Sequence, residues 1–145
     1  MTTSSTTYVL GRAHAPRPPE GAHVLVLDLT APPSDPVQEW LVDGTCALFE
    51  VVRGLLEPAV TPSAIIAVVI ADPQPGTGLG PMVEAAFAST QATIHSLAME
   101  YEGTHLSVVR AFPEQAVAVQ QTVDFLASTD GGYVSAATLD LRTAA

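Results

Sequence analysis

The chain alternates short apolar runs with longer segments in which apolar positions recur every three or four residues. The apolar run at residues 23–29 predicts a strand that is covered on both faces, as in a parallel sheet, residues 65–70 predict a buried strand, and residues 106–112 predict a third strand. A short strand is predicted at residues 8–10 and a last strand at residues 137–141. Because these strands alternate with helical segments, the order predicts a mostly parallel sheet with helical crossovers.

Three helices are predicted at residues 37–57, 82–102 and 114–128, each bounded by proline, glycine or a capping residue. Their buried candidates are Val37, Leu41, Leu48, Val52 and Leu55 in the first helix, Val83, Phe87, Thr90, Ile94, Leu97 and Tyr101 in the second, and Val117, Val123, Phe125 and Leu126 in the third. Residues 1–22 are predicted to be an N-terminal tail with a proline-rich link, and residues 23–145 a single α/β domain with helices on both faces of the sheet.

Composition and charge exclude several classes of protein. The chain is 48% hydrophobic and 14% charged, which is too apolar for a disordered protein. Its formal net charge of −10 provides no basic surface for nucleic acid or anionic lipid. No apolar stretch approaches the ~20 residues of a membrane span, and no signal peptide is visible, so we expect a cytoplasmic protein.

Two residue types are absent, and both absences limit the chemistry. The chain has no lysine, which excludes a Schiff base, a phosphate-loop lysine and a tyrosine/lysine proton relay. It also has no asparagine; the abundance of Ala, Thr, Val and Pro beside these absences indicates a GC-rich bacterial genome.

Cys46 is the only cysteine, so no intrachain disulfide can form, and its apolar neighbours predict a small buried side chain. No histidine has metal-site spacing, and no metal is expected.

Four stretches together resemble the C-terminal two-thirds of short-chain dehydrogenases/reductases. They are VDGTCALFEVVRGLLEP at residues 42–58, FASTQATIHSLAMEY at 87–101, HLSVVRAFP at 105–113 and VDFLASTDGGYVSAATLDL at 123–141. Their order and spacing carry the resemblance, which implies a truncated, Rossmann-like layer of four or five strands.

The same resemblance implies that the family's active site is erased. The family's asparagine falls at Asp43, its serine near Ala71 or Asp72, its tyrosine at Val83 and its lysine at Phe87. Valine and phenylalanine cannot supply the acidic phenol and the ammonium group of that relay. The glycine-rich dinucleotide loop and the first βαβ unit have no counterpart, so no cofactor is expected.

The resemblance also implies a partner. Members of the family pair through the two long helices that correspond to residues 37–57 and 82–102. We therefore expect a non-catalytic subunit that associates through these helices with a full-length relative, stabilising it or shaping its substrate pocket. Self-association is the other expected form of assembly.

The alternative is a cofactor-independent enzyme or binder of a small metabolite, such as a cyclase, isomerase or dehydratase. Asp72, Glu84 and Asp43 are its candidate acid/base residues. Its pocket candidates are Trp40, Gly76, Gly78 and Tyr133. Gly76, Gly78 and Gly80 lack the full dinucleotide spacing and are interpreted as a loop. For Glu84 the competing interpretation is a charge that favours a helix N-terminus.

Overall fold

The protein is an α/β layer built on one five-stranded, fully parallel sheet, as the sequence predicts. The computed structural model describes residues 6–10, 16–30, 37–56, 64–70, 80–101, 104–128 and 137–143. The strands are β1 (Thr6–Leu10), β2 (Ala22–Asp28), β3 (Ala64–Ile70), β4 (His105–Ala111) and β5 (Ala137–Asp140), adjacent in that order. The helices are α1 (Val37–Leu56), α2 (Gly80–Glu100) and α3 (Ala116–Ala127).

Strand β1 extends the sheet beyond the segment that the sequence analysis assigns to the domain. It begins at Thr6, within the predicted N-terminal tail, and its five residues pair in parallel with residues 23–27 of β2. The segment that leads into β2 also packs on the domain, because the main-chain N–H and C=O of Arg17 both hydrogen-bond to the side chain of Gln120 on α3. Gly21 turns the chain into β2 with a φ of 80°, which glycine adopts at low cost.

The helices lie on both faces of the sheet, as predicted. On the first face, α1 and α2 cover one set of alternating strand residues, including Leu25, Ala67 and Val108. On the second face, α3 covers the other set, including Val26 and Val68. The three central strands, β2, β3 and β4, are thus buried by the alternation of side chains across two covered faces, whereas β5 is half-buried.

The crossovers do not all have the same hand. The chain steps in one direction from β2 to β5, yet α1 and α2 lie on one face and α3 on the other. The crossover through α3 therefore has the hand opposite to the two before it. Since about 98% of such crossovers are right-handed, this sheet contains a rare left-handed connection.

The core follows the predicted stripes in α1 and α2 but not in α3. Leu48, Val52, Val83, Ile94 and Leu97 are buried, as predicted. Val117 and Phe125 were predicted to be buried, and this is wrong, because they are 73% and 48% exposed. The buried face of α3 is set by Val119, Val123 and Leu126, at spacings of four and three residues, and this phase turns Val117 and Phe125 outwards.

Candidate functional site

Charged side chains from three elements meet at the carboxyl edge of the sheet. Arg110 is the penultimate residue of β4 and Asp140 is its register partner on β5. Glu84 lies near the start of α2, and Arg142 follows β5. In open α/β sheets, ligands bind outside the carboxyl ends of the strands. This cluster is therefore the candidate site.

Glu84 and Arg110 form a two-pronged ion pair. Nη1 of Arg110 donates to Oε2 of Glu84 at 2.8 Å, and Nη2 donates to Oε1. Arg110 is 2% exposed, whereas the side chain of Glu84 is 60% exposed. The guanidinium thus belongs to the interior and the carboxylate closes the site towards solvent. Nε of Arg110 is buried without a hydrogen-bond partner among the described residues.

Phe87 completes the surroundings of this guanidinium. Cζ of Arg110 lies 4.5 Å from the centroid of the Phe87 ring, a cation–π distance. One helical turn before it, Val83 is 2% exposed and belongs to the first-face core. Val83 and Phe87, the residues where the resemblance places a tyrosine and a lysine, therefore make packing contacts.

The two carboxylates of the cluster are both stabilised in their ionised form. Hydrogen bonds from Arg110 lower the pKa of Glu84 from its ordinary value of 4.5, against the opposing effect of burial. The pKa of Asp140 is lowered in the same way by Arg142, which donates to both its oxygens at 3.0 and 2.9 Å. Near neutral pH both carboxylates are therefore ionised and paired with arginines, and neither is a carboxylic acid that could donate a proton.

A third carboxylate at the same edge has a local role. Asp28 ends β2 and is 4% exposed. Its Oδ1 accepts hydrogen bonds from the main-chain N–H of Thr30 at 2.9 Å and from its hydroxyl at 2.5 Å. This is an Asx-type turn that leads the chain away from the sheet.

The outward face of α2 carries almost no charge. Its exposed residues between Glu84 and Met99 are Ala85, Ala88, Ser89, Ala92 and Ser96. Met99 is 83% exposed at the end of this row. Helix α1 packs beside α2 and exposes Cys46, Phe49 at 37%, and the charged side chains of Asp43, Glu50 and Arg53. Together these outward residues of α1 and α2 form one surface, which we call the α1/α2 surface.

The structure describes only part of the predicted site. Glu84 and Phe87 lie together at Arg110, while Asp43 is exposed on α1. Trp40 lies in α1, but its side chain is outside the described residues. The remaining predicted site residues also lie outside the described residues; they are Ala71, Asp72, Gly76, Gly78 and Tyr133. The acid/base and pocket predictions for them stay predictions.

Two residue predictions change. Cys46 was predicted to be buried, and this is wrong, because α1 turns it to solvent while Leu48 and Val52 face the sheet. His23, predicted from sequence to begin a strand and to be a surface or partly buried histidine, is 6% exposed in β2, and its Nδ1 has no partner among the described residues. Arg110, which the sequence analysis did not select, had one signal: it is the only Asp, Glu, Lys or Arg in a buried, mostly apolar strand.

The part of the chain that the structure describes has neither a metal cluster nor a membrane-spanning helix. No group of three or more His, Cys, Asp or Glu residues there could hold a metal ion. No helix in that part is long and apolar enough to cross a membrane.

Comparison with known proteins gives no relative: no family model, no curated protein and no solved structure matches the chain.

Proposed function

We propose that the protein is a non-catalytic subunit, resembling a short-chain dehydrogenase/reductase, that binds a full-length enzyme of that type through the α1/α2 surface. The observation that carries the proposal is the outward face of α2. Over the twelve residues between Ala85 and Ser96 this face exposes only alanine and serine, in a chain with 15 acidic residues. Exposed helix faces are ordinarily rich in charge, whereas small residues allow a second helix to pack closely.

The packing around Arg110 supports the non-catalytic part of the proposal. Proton relay at the positions of Val83 and Phe87 would require a phenol and an ammonium group. Val83 is buried in the core and Phe87 stacks on Arg110, so both positions contribute to stability. We expect the complex to act in the cytoplasm of a bacterium, with the partner supplying the cofactor and the chemistry.

The test uses two matched charge insertions. Ala92→Glu places a carboxylate in the middle of the α2 face, and Ala116→Glu places the same group at an exposed alanine on α3. Tagged wild-type protein and both variants are used to capture partners from the native host, followed by mass spectrometry.

The proposal predicts near-stoichiometric capture of an enzyme with an intact glycine-rich loop and tyrosine/lysine pair by the wild type and by Ala116→Glu. Capture should fall at least about tenfold with Ala92→Glu, since an uncompensated charge in a packed interface costs more than ~1.4 kcal/mol. Equal capture by all three proteins, or no such enzyme, would contradict the proposal.

A second candidate function is cofactor-independent acid/base chemistry, or binding of a small metabolite, at the carboxyl edge. The observation that favours it is the convergence of Glu84, Arg110, Asp140 and Arg142 there. The lowered pKa of Glu84 restricts that residue to the role of a base or a cation ligand. If the double variant Glu84→Met/Arg110→Met keeps its fold and still converts the metabolite, Glu84 has no part in such chemistry.

A further inference from the structure

The guanidinium of Arg110 lies beneath a carboxylate at the carboxyl edge of the sheet. Its two terminal nitrogens both donate to Glu84, in the two-pronged geometry that arginine forms with carboxylates. Arg110 is 2% exposed, whereas the side chain of Glu84 is 60% exposed. Glu84 therefore covers the guanidinium from the solvent side, and its departure would open the guanidinium to the edge of the sheet.

Glu84 does not satisfy all the donors of this guanidinium. Nε of Arg110 is buried without a hydrogen-bond partner among the described residues, and a buried N–H without an acceptor is unfavourable. Glu84 is tethered to α2 and pairs with the two terminal nitrogens. A free carboxylate can instead bind arginine from the side, through Nε and one terminal nitrogen. A small acid thus satisfies a donor that Glu84 leaves without an acceptor.

The position of the guanidinium does not depend on Glu84 alone. Arg110 belongs to β4, and the ring of Phe87 lies 4.5 Å from its Cζ and attracts the cation from the side of α2. Its register partner Asp140 is held in a bidentate pair by Arg142, and that pair is neutral as a unit. The donors of Arg110 are therefore arranged in advance for an incoming anion, which lowers the cost of binding it.

We propose that Arg110 anchors a binding site for the carboxylate of a small organic acid, and that Glu84 occupies this site as an internal stand-in until such an acid displaces it. The location agrees with the rule that ligands of open α/β sheets bind outside the carboxyl ends of the strands. Glu84 is exposed enough to turn into solvent, where water hydrates its charge.

The charge of the chain determines how such a site can recognise its ligand. The formal net charge of −10 disfavours the approach of anions in general. Selectivity must therefore come from the planar fork of the guanidinium, which matches a carboxylate and has no comparable match with a spherical anion such as chloride.

This inference rests on the second candidate function, binding of a small metabolite at the carboxyl edge, and adds the chemical class of the ligand. It is independent of the partner at the α1/α2 surface. Binding is measured on purified protein, so a lack of turnover or of a captured partner leaves the outcome unaffected.

The test removes the internal carboxylate and supplies a free one. Glu84→Ala opens the guanidinium, and Glu84→Ala/Arg110→Met removes the anchor as well. Glu100→Ala, which removes an exposed carboxylate from the same helix, is the matched control. Thermal unfolding of each protein is followed by circular dichroism in a titration with sodium formate, and sodium chloride at the same concentrations controls for ionic strength. Glu84→Gln replaces Glu84→Ala if the latter fails to fold.

Formate should restore at least about half of the Tm that Glu84→Ala loses, because a ligand of the folded state stabilises it by mass action. Wild type and Glu100→Ala should bind formate at least about tenfold more weakly, since Glu84 must first leave the site. The double variant should respond to formate as it does to chloride. The proposal is overturned if formate and chloride act equally on Glu84→Ala, if the double variant responds as Glu84→Ala does, or if the wild type binds formate as tightly.

The Nε–H signal of Arg110 in a nitrogen-15 NMR spectrum gives an independent measurement. The chain has five arginines, so these side-chain signals are few, and the double variant assigns the signal of Arg110 by its loss. In Glu84→Ala this proton should shift downfield as formate is added, because Nε gains an acceptor. A signal that does not move up to the highest formate concentration would also overturn the proposal.

Discussion

The ion pair between Glu84 and Arg110 predicts an asymmetry between the two substitutions that break it. Arg110 is 2% exposed, whereas the side chain of Glu84 is 60% exposed. Glu84→Ala leaves a buried guanidinium without its counter-ion. Arg110→Met leaves a carboxylate that water can solvate and fills the space with apolar atoms. We therefore expect Glu84→Ala to lower the free energy of unfolding more than Arg110→Met does.

The exposure of Glu84 limits the size of the effect. Removing one partner of a fully buried pair costs about 3–5 kcal/mol, whereas an exposed pair contributes about 1 kcal/mol or less. The two N–H groups of Arg110 that lose their acceptor add about 1–3 kcal/mol. We expect a loss of about 2 kcal/mol for Glu84→Ala, or about 4–8 °C in Tm for a chain of this length. Arg110→Met should cost less than about 1 kcal/mol.

Urea unfolding followed by circular dichroism measures both effects. Glu100→Ala is the matched control, because Glu100 is exposed on the same helix and forms no ion pair among the described residues. It should change stability by less than about 0.5 kcal/mol. The expected asymmetry is refuted if Arg110→Met lowers the free energy of unfolding more than Glu84→Ala does. It is also refuted if the double variant Glu84→Ala/Arg110→Met is less stable than Glu84→Ala.

The ion pair between Glu84 and Arg110 also predicts how stability depends on pH. The pKa of Glu84 is lowered in the folded state, chiefly by the hydrogen bonds from Arg110. The stability that this carboxylate contributes is therefore fully present above its ordinary value of 4.5 and is lost as the pH falls through the lowered value. The difference between wild type and Glu84→Ala should shrink in that acidic range, and an undiminished difference would contradict the ion-pair account.

Two further predictions concern buried side chains. Burial lowers the pKa of His23. Stability should therefore be complete above pH 6.5 and fall as the pH drops from 6.5 to the lowered value, and His23→Leu should abolish this component of a pH series of urea titrations. Ile94 is 0% exposed, so Ile94→Ala should lower the free energy of unfolding by about 2–5 kcal/mol. Ser96→Ala, on the outward face of α2, should change it by less than about 0.5 kcal/mol in the same titration.

The architecture was predictable because the local pattern and the tertiary structure agree. The three long strands are mostly apolar, and a sheet buried on both faces requires such strands. The stripe of α2 was also correct, since its buried residues follow one helical phase. In α3 two phases compete, because Val117 and Phe125 are as apolar as Val119 and Val123. Only the position of the sheet decides between them.

Less of the candidate site than of the fold could be predicted from the sequence. Glu84 was selected, but as an acid/base residue or a helix N-terminal charge, since nothing local couples it to a residue 26 positions later. That coupling depends on α2 packing across β4. The opposite hand of the last crossover likewise has no local signal. It arises only when α3 covers the second face and leaves Asp140 beside Arg110 on the first.

The position of Arg110 bears on how the resemblance should be interpreted. The ring of Phe87 lies 4.5 Å from Cζ of Arg110. A lysine at position 87 would bring a second cation close to a buried guanidinium, where like charges repel strongly. Phe87 instead offers an aromatic face, which attracts the same cation. A lysine at position 87 is therefore incompatible with Arg110 as it stands, and the ring of Phe87 instead makes a contact between α2 and β4.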